Sequence, residues 1–360
     1  MQDPPQMVQL LTPEGVRTED PRFEFPENDE RIAVYLREMV LARRFDAEAT
    51  ALQRHGELGL WPPLYGQEAA QVGAAHAIRG QDMVFPTYRE HAVALVRGVE
   101  PVHMLSLFRG TSMVSWDSEA TRFAPYTVVI GAQALHATGY AMGLQRDGLV
   151  GDGDETAAVL AFHGDGASSQ GDVNEAYVFA ASYNAPVVFF CQNNQWAISE
   201  PITRQTKIPL YQRAAGFGFP GIRVDGNDVL AVRSVTEWAM NRARAGEGPS
   251  FIEAFTYRMG AHTTSDDPTK YRLAAEREHW KLKDPIERVR AYLQRSGGVG
   301  EQFFIDLKAE AEAFGERVRT ECRKLATPEL PTIWDNVLAK PGAELRQQRD
   351  AYLATFEEDA

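Results

Sequence analysis

The chain has 360 residues, of which 44% are hydrophobic and 24% charged, and its formal net charge is −13 at pH 7. This length allows one large or two modest domains with a well-buried core, and no apolar run is long enough to span a bilayer. The acidic balance and the lack of a basic cluster argue against nucleic acid or an anionic membrane as a partner.

The cysteine content predicts a reducing location. Cys191 and Cys322 are the two cysteines and cannot form a disulfide framework. The N-terminus lacks a basic head followed by an apolar core, so no secretory signal is predicted. We therefore expect a soluble, cytoplasmic protein, with Cys191 filling the core of an apolar strand.

The N-terminal part is predicted to be an arm followed by helices. Residues 1–27 are rich in proline and acids without periodicity, which predicts an extended arm that is disordered or lies along a partner. A helix is expected to begin near Asn28 or Asp29 and to stop at Gly56. A second helix, rich in small residues, runs from Gly66 to about residue 78, and its sequence alone says nothing about catalysis.

Tyr88 and Arg89 form the first candidate binding site. They follow a proline, at the expected start of a helix that reaches Val96. A helix N-terminus with a guanidinium suits a phosphate group, although an exposed arginine capped by Glu90 fits the pattern equally well. The neighbouring His91 is expected to pack rather than react.

Ile130 is a second candidate. It lies in a loop before a helix of small residues, where a bulky side chain can support a bent cofactor or simply pack in the core. Two histidines in apolar surroundings, His136 and His163, are expected to be satisfied core residues rather than ligands.

The stretch from Ala157 to Pro201 reads as strand, helix, strand, the pattern of a parallel crossover unit. It predicts an α/β fold with a mostly parallel sheet. Asp165 and Asn194 each follow an apolar run, so the topology brings both to the carboxyl ends of neighbouring strands. One carboxylate and one amide oxygen suit Mg²⁺, which completes its octahedron with phosphate and water. We therefore predict a magnesium–diphosphate anchor.

Two rival interpretations of the glycine-rich sequence are weaker. The earlier Gly-Asp-Gly at 151–153 lies in a polar run without an apolar lead-in, and is expected to be a solvated turn. A dinucleotide fingerprint would need a third glycine where Ser169 stands, and no P-loop lysine is present.

The loop after the last predicted strand carries His262. The strand is expected over 250–257, after a strand near 222–225 and a helix over 229–245. His262 is the one histidine in a polar loop, and at a strand end it can transfer protons or bind phosphate. Residues 276–360 are predicted to be largely helical without a chemical motif, which gives a main domain over 28–325 and a C-terminal helical extension over 326–360.

Seven motifs in order resemble the alpha subunit of the thiamin-dependent first component of 2-oxo acid dehydrogenase complexes, over about residues 30–340. They are GQEAAQVGAA (66–75), FPTYREH (85–91), IGAQ (130–133), GDGASSQGD (164–172), QNNQWAIS (192–199), GIRVDGNDVLA (221–231) and AHTTSDDPTKYR (261–272). The amino-acid sequences of these motifs are similar to those of branched-chain and bacterial 2-oxo acid dehydrogenases. The resemblance implies a thiamin diphosphate-binding fold with helices on both faces of the sheet.

The resemblance also implies roles for individual residues. Asp165, Asn194 and the carbonyl of Trp196 would hold Mg²⁺. Tyr88, Arg89 and His262 would contact the diphosphate, with His262 also near the reacting centre. Ile130 would support the bent cofactor and offer its carbonyl to the aminopyrimidine. Backbone groups of the turn would line the diphosphate, and these are Gly164, Gly166 and Ala167.

The implied reaction is decarboxylation of a 2-oxo acid with acyl transfer to the lipoyl group of a dihydrolipoyl acyltransferase. In this superfamily the activating glutamate lies on a pyrimidine-binding domain, which split enzymes carry on a beta subunit. Nothing here is assignable as that glutamate. We therefore expect an α2β2 heterotetramer and an inactive isolated chain.

Three departures from the family pattern and several alternatives remain. The loop from Arg109 to Val114 lacks a histidine that many relatives have, and Gln192 replaces an arginine of some branched-chain enzymes. Thr263 replaces a serine that is phosphorylated in animal relatives, so no kinase control is inferred. Branched-chain 2-oxo acids are the favoured substrates, with pyruvate second and acetoin third. A non-catalytic scaffold subunit and a nucleotide-binding oxidoreductase are the alternatives from other classes.

Overall fold

The fold is built around one parallel sheet. The computed structural model describes residues 7–112, 115–335 and 337–357. Five strands form the sheet in the order β1-β2-β3-β7-β6, and every pair in it is parallel. A separate two-stranded hairpin pairs β4 with β5. The strands are β1 Met83–Phe85, β2 Val159–Gly164, β3 Val187–Asn193, β4 Trp196–Ala197, β5 Glu200–Pro201, β6 Gly221–Asp225 and β7 Ser250–Phe255.

The two faces of the sheet enter two different hydrophobic cores. In β3, Val188 and Phe190 belong to one core, whereas Val187, Phe189 and Cys191 belong to the other. This alternation follows from the two-residue period of a strand, and a strand buried on both faces reads as a continuous apolar run. Cys191 is fully buried, so its predicted role as core filling is confirmed.

Helices cover both faces, which confirms the predicted α/β fold. One core contains residues of α1, α2, α10 and α12, and the other contains residues of α6 and α7. The helices of the described residues are α1 Asp29–Arg54, α2 Glu68–Ala75, α3 His91–Val96, α4 Pro101–Arg109, α5 Ser118–Thr121, α6 Ala132–Arg146, α7 Gly171–Ser182, α8 Ile202–Gln205, α9 Arg213–Phe217, α10 Val229–Arg244, α11 Ala274–Lys281, α12 Pro285–Ser296, α13 Glu301–Lys324, α14 Thr332–Asp335 and α15 Ala343–Glu357. In this part of the chain, no helix combines the length and apolar composition needed to cross a membrane.

Local sequence signals set the helix ends. The side chain of Asn28 accepts a hydrogen bond from the backbone N–H of Arg31 at 3.1 Å, so α1 begins where the sequence predicts. Gly56, just after α1, has a φ of +79°, a conformation that favours glycine and stops the helix. The glycine-rich turn at 151–153 is largely exposed, as expected of a solvated turn.

The described part of the predicted arm packs against its own chain. Val8 pairs with Val224 at the outer edge of β6, and the backbone N–H groups of Leu10 and Leu11 both donate to Asp228 at 2.6 Å. Val8, Leu10 and Leu11 are buried. These three residues therefore pack in this chain's own core, in contrast to the disordered or partner-bound arm expected from the sequence. Residues 1–6 of the predicted arm lie outside the described residues.

Two histidine predictions have different outcomes. His163 is buried, with its two ring nitrogens 2.9 Å from the Gly164 carbonyl and the Tyr177 hydroxyl, so it is a satisfied core histidine. The prediction for His136 is wrong, because this residue lies on the exposed face of α6. The apolar residues around it in sequence pack on the opposite face of the helix.

The C-terminal residues form two further helices. Trp334 and Tyr352 bring α14 and α15 together, with their ring centroids 5.2 Å apart. The boundaries at 27/28 and 325/326 stay predictions.

Candidate functional site

The candidate site lies where four neighbouring strands end. The loop after β1 carries Tyr88 and Arg89, and the turn after β2 carries Asp165. Asn194 follows β3, and His262 lies in the loop after β7. These strands are adjacent and parallel, so their carboxyl ends meet at one edge of the sheet, where open α/β sheets bind ligands.

A cavity of about 230 Å³ opens at this edge. All of the site residues that the sequence analysis names line this cavity. They are Tyr88, Arg89, Ile130, Gly164, Asp165, Gly166, Ala167, Asn194, Trp196 and His262. The structure therefore brings the predicted residues together, while their roles stay predictions.

Asp165 is a buried carboxylate that lines the cavity. Its Oδ2 accepts a hydrogen bond from Nε2 of Gln205 at 2.9 Å, and the residue is 1% exposed. Burial raises the pKa of Asp165 to about 6, because removal from water disfavours the charged form. A nearby cation would lower this pKa again, because it favours the ionised form.

Asn194 and Trp196 lie beside it. Nδ2 of Asn194 donates to Oε1 of Gln67 at 3.2 Å, which leaves the amide oxygen to face the backbone N–H of Trp196 at 3.3 Å. The Trp196 carbonyl accepts a hydrogen bond from Nη1 of Arg258 at 2.8 Å. The indole of Trp196 points away from this carbonyl's partner and donates to Glu276 at 2.9 Å.

Two buried arginines dominate the electrostatics of the cavity. Arg89 is 5% and Arg258 1% exposed, and no carboxylate of the described residues forms an ion pair with either. Their bonds go to carbonyls instead, from Arg89 to Pro63 at 2.6 Å and to His262 at 3.0 Å. Burial and the neighbouring Arg89 lower the pKa of Arg258 to about 9. Buried cations without a direct ion-pair partner are stabilised by an anionic ligand.

The same arginines set the state of His262. Its Nδ1 is 3.3 Å from Nη2 of Arg89 and 3.3 Å from Nη1 of Arg258. Burial and these two guanidinium groups lower the pKa of His262 to about 3, so the imidazole is neutral at pH 7. Since a guanidinium can only donate, Nδ1 must accept, and the proton is assigned to Nε2. Nε2 lies 3.5 Å from the Tyr88 hydroxyl.

A loop network fixes the position of His262. Asp266 accepts a hydrogen bond from the backbone N–H of His262 at 2.8 Å and a second one from the hydroxyl of Tyr271. Arg272 donates to the carbonyl of Gly260 at 3.1 Å. The loop that delivers the histidine is therefore tied at both ends by its own side chains.

Several cavity residues were missed by the sequence analysis. Gln67, Gln133 and Arg258 line the cavity and are almost fully buried. Nothing in the composition of the GQEAA segment marks Gln67, because a glutamine before a small-residue helix is ordinary. The arginine of the sequence Tyr-Arg-Met-Gly after β7 was the available signal for Arg258, since a cation at a strand end is a candidate anion ligand.

Gln192, noted only as a departure from the family pattern, also lines the cavity. Its side chain donates to Glu90 and accepts from Nε2 of Gln71 at 3.1 Å. Glu90 is wholly buried, and burial raises its pKa. Gln192 therefore satisfies a buried acid without adding a charge.

The cavity fits an anionic cofactor with a bound cation. Besides the two arginines, Oε1 of Gln133 is buried and has no hydrogen-bond partner within the described part of the chain. A Cβ on Gly166 would lie 2.7 Å from the Cβ of Ala197, so only glycine permits this approach of the turn to the hairpin. No group of three histidine, cysteine or acidic side chains forms a metal cluster among residues 7–112, 115–335 and 337–357. A cation here would depend on Asp165, neutral oxygens and the ligand's phosphate.

The loop that lacks the family histidine is only partly described. Nη1 of Arg109 donates to the carbonyl of Glu57 at 3.1 Å and to its carboxylate, so this side chain does not line the cavity. Residues 113 and 114 lie outside the described residues.

Comparison with known proteins gives consistent matches over most of the chain. The family model described as dehydrogenase E1 component matches residues 36–324. A 3-methyl-2-oxobutanoate dehydrogenase subunit alpha of Mycobacterium tuberculosis is 48% identical over 348 residues, which cover 95% of this chain and 92% of that protein. A pyruvate dehydrogenase E1 component subunit alpha of Acholeplasma laidlawii is 39% identical, covering 87% of this chain and 90% of that protein. The corresponding Staphylococcus aureus subunit is 39% identical, covering 81% and 78%.

Proposed function

The chain belongs to the dehydrogenase E1 component family, and from this premise we propose that it is the alpha subunit of a branched-chain 2-oxo acid dehydrogenase. It would take part in oxidative decarboxylation of branched-chain 2-oxo acids, with acyl transfer to the lipoyl group of an acyltransferase. The family depends on thiamin diphosphate in general. The family resemblance predicted from the sequence is confirmed by these matches.

One observation supports the cofactor site most strongly. Arg89 and Arg258 are buried without a carboxylate partner in the described chain, at the same cavity as Asp165 and Asn194. Two cations without a direct ion-pair partner, beside oxygen ligands, support the proposal of a site for a diphosphate with its Mg²⁺. We assign the diphosphate to Tyr88, Arg89, His262 and the turn at Gly164–Ala167, and Mg²⁺ to Asp165, Asn194 and the Trp196 carbonyl.

The remaining site residues would position the cofactor and donate hydrogen bonds or protons to the ligand. When bound, thiamin supplies the electron sink that lets carbon dioxide leave. Ile130 lies at the cavity wall, where its side chain can support a bent cofactor and its carbonyl can accept a hydrogen bond. Nε2–H of His262 is a neutral donor held in place by two arginines, so it can bind an oxygen of the ligand without giving up a charge.

A beta subunit would complete the site. Val128 is 63%, Val129 71% and Ile130 42% exposed, and they form an apolar rim beside the cavity. Apolar side chains grouped beside a site are typical of a partner surface. We propose an α2β2 heterotetramer in the cytoplasm, in which the beta subunit supplies the activating glutamate.

The substrate assignment rests on the relatives. The named 3-methyl-2-oxobutanoate subunit is 48% identical, against 39% for the named pyruvate subunits. Branched-chain acids are therefore the first candidates, and pyruvate the second.

The test is decarboxylation by the chain co-expressed with its beta partner, with thiamin diphosphate and Mg²⁺. We expect higher kcat/KM on 2-oxoisovalerate than on pyruvate, and loss of activity on both in Asp165→Ala. A preference for pyruvate would move the assignment to the second candidate. No activity on either acid, with thiamin unbound, would leave the non-catalytic scaffold subunit.

A further inference from the structure

Gln205 is the side chain that orients the carboxylate of Asp165. Its Nε2 donates to Oδ2 of Asp165 at 2.9 Å, and no arginine or lysine of the described residues lies within ion-pair distance of that carboxylate. Asp165 is 1% exposed, so water does not compete for this position. Among the described residues this is the only side-chain hydrogen bond to the carboxylate, so one oxygen is fixed and Oδ1 has no side-chain partner there.

Gln205 comes from the segment that also carries Trp196. After β3 the chain forms the β4–β5 hairpin and then α8, which ends at Gln205. The backbone N–H of Ile202 donates to the carbonyl of Gln195 at 2.9 Å, which ties the start of α8 to the base of the hairpin. Movement of this segment would displace Gln205 and the Trp196 carbonyl together.

The backbone of this segment is strained, and hydrogen bonds from Arg258 hold it in this conformation. Gln195 has a φ of +74° and Ile198 a φ of +54°, and a β-branched residue rarely adopts this region. Nη2 of Arg258 donates to the carbonyl of Ile198 at 2.9 Å, beside its bond to Trp196. Strain of this kind persists where surrounding contacts over-determine the conformation, and it is typical of functional sites.

We propose that Gln205 is a positioning residue for metal binding, acting through Asp165. This inference rests on the proposed function, because it takes Asp165 to be the metal-binding carboxylate. An amide suits the task because it donates to one carboxylate oxygen without adding charge, which leaves the full negative charge of Asp165 for a cation. Hydrogen-bond partners of metal-binding carboxylates contribute roughly 10- to 100-fold to metal affinity.

The test measures cation affinity directly in the complex of this chain with its beta subunit and thiamin diphosphate. Mn²⁺ prefers the same octahedral oxygen site as Mg²⁺, and its electron paramagnetic resonance signal reports the free ion. Gln205→Met keeps the side-chain volume and removes the donor. We expect the Kd for Mn²⁺ to rise roughly 10- to 100-fold. Saturating Mg²⁺ should restore kcat to about the parent value, since the variant keeps every group that touches the ligand.

Gln212→Met is the matched control. Gln212 lies further along the same segment, outside the cavity, and its Nε2 is 3.4 Å from the hydroxyl of Tyr211. We expect its Mn²⁺ affinity to equal that of the parent. Equal affinity in Gln205→Met would overturn the positioning role, and so would a kcat that saturating Mg²⁺ fails to restore.

Asp165→Ala separates this inference from the proposed function. If Asp165→Ala abolishes Mn²⁺ binding while Gln205→Met leaves it unchanged, the metal site stands and the role of Gln205 is wrong. If Asp165→Ala also binds Mn²⁺ with the parent affinity, the proposed metal site itself is wrong.

Discussion

His262 is neutral at pH 7 because it is buried and two guanidinium groups face one of its nitrogens. The resulting Nε2–H donor points toward Tyr88 and the cavity. We expect His262→Ala to lower kcat of the assembled enzyme by roughly 10²- to 10³-fold, the usual cost of removing one preorganised donor. His136→Ala, which removes an exposed histidine outside the cavity, should leave kcat unchanged. A kcat for His262→Ala close to the parent value would remove this residue from the chemistry.

His163 makes stability depend on pH. Burial lowers its pKa from the ordinary 6.5 to about 4, so below pH 6.5 the unfolded chain takes up a proton that the folded chain refuses. Its stabilising contribution is therefore complete above pH 6.5 and is lost as the pH falls toward 4. Between pH 7 and 5 we expect this residue to account for about 2 kcal/mol of lost unfolding free energy.

Urea unfolding at pH 7 and pH 5 tests this. His163→Phe removes the titrating group and keeps an aromatic ring beside Tyr177 and Phe251. The difference in unfolding free energy between the two pH values should shrink by about 2 kcal/mol relative to the parent chain. If His163→Phe leaves the difference in unfolding free energy between pH 7 and pH 5 unchanged, the loss of stability in acid comes from other groups, such as the buried His91.

At the residue scale, the sequence predicted the site residues that directly follow apolar strands. It did not predict the side chains that hold those residues in place by hydrogen bonds. Asp165, Asn194 and His262 each end or follow a strand, a position that periodicity reveals. Gln67 lies far in sequence from these site residues, and Gln205 follows an unpredicted hairpin, so only the folded path of the chain brings these side chains near. Arg258 carried a signal that went unused, since it is a cation after a predicted strand.

The segment at Gly66 brings two elements into contact at their backbones. Gly66 has a φ of +96°, and a Cβ there would lie 2.3 Å from the Tyr257 carbonyl and 2.8 Å from a side-chain carbon of Met259. Gly66→Ala should therefore lower the unfolding free energy by about 3 kcal/mol or more, from backbone strain and overpacking together. It should also weaken cofactor binding, because Met259 precedes the loop of His262.

Gly56→Ala isolates the backbone contribution. Gly56 has a φ of +79° with open space around its Cα, so the alanine meets no neighbour. We expect a loss of about 1 to 2 kcal/mol, measured by the same urea titration. If Gly66→Ala and Gly56→Ala lower the unfolding free energy equally, the close contact of residue 66 with Tyr257 adds no steric cost beyond the backbone strain.

At the element scale, four strands of the sheet (β2, β3, β6 and β7) and the helices α1 and α10 were predicted to within a few residues, whereas β1 was not predicted. Their apolar runs and capping residues are local features, as Asn28 and Gly56 show for α1. The β4–β5 hairpin was not predicted, because Gln195 and Ile198 adopt positive φ values without the glycine or asparagine that usually marks such a turn. Contacts from Arg258 hold that hairpin, and local propensity does not encode them.

Arg288 joins three distant parts of the molecule. It is fully buried on α12, donates to the Leu11 carbonyl at 3.0 Å and pairs with Asp225 of β6 at 2.8 Å. Arg288→Met leaves Asp225 without its buried cation, next to Asp228. We expect a loss of about 3 to 5 kcal/mol in unfolding free energy.

Arg290→Met, on the same helix, is the comparison. The Arg290 side chain is 40% exposed and its partner Glu287 is 3.7 Å away, so this change should stay within about 0.5 kcal/mol of the parent. Denaturant titration of the two variants measures both values. Similar losses would mean that the buried pair does not hold the arm and the sheet together.

At the scale of the whole molecule, the sequence analysis did not foresee where the N-terminal residues would lie. Proline and acid content describes how a segment behaves alone, and it favoured disorder. The short apolar run at Val8–Leu11 was the contrary sign. Its burial depends on an open sheet edge and on Asp228, which lie more than half the chain away.

The docking of the arm has a consequence for the synthesis of the protein on the ribosome. The side chain of Gln9 donates a hydrogen bond to Asp225, which lies 216 residues later in the sequence. The residues around Gln9 therefore cannot dock until the ribosome has synthesised the strand that contains Asp225. At 5–20 residues per second that wait lasts roughly 10–40 s. Throughout it Val8, Leu10 and Leu11 have no core to enter, and the nascent chain exposes them to chaperones and to neighbouring chains. These residues are placed only after β6 and Asp228 have been made.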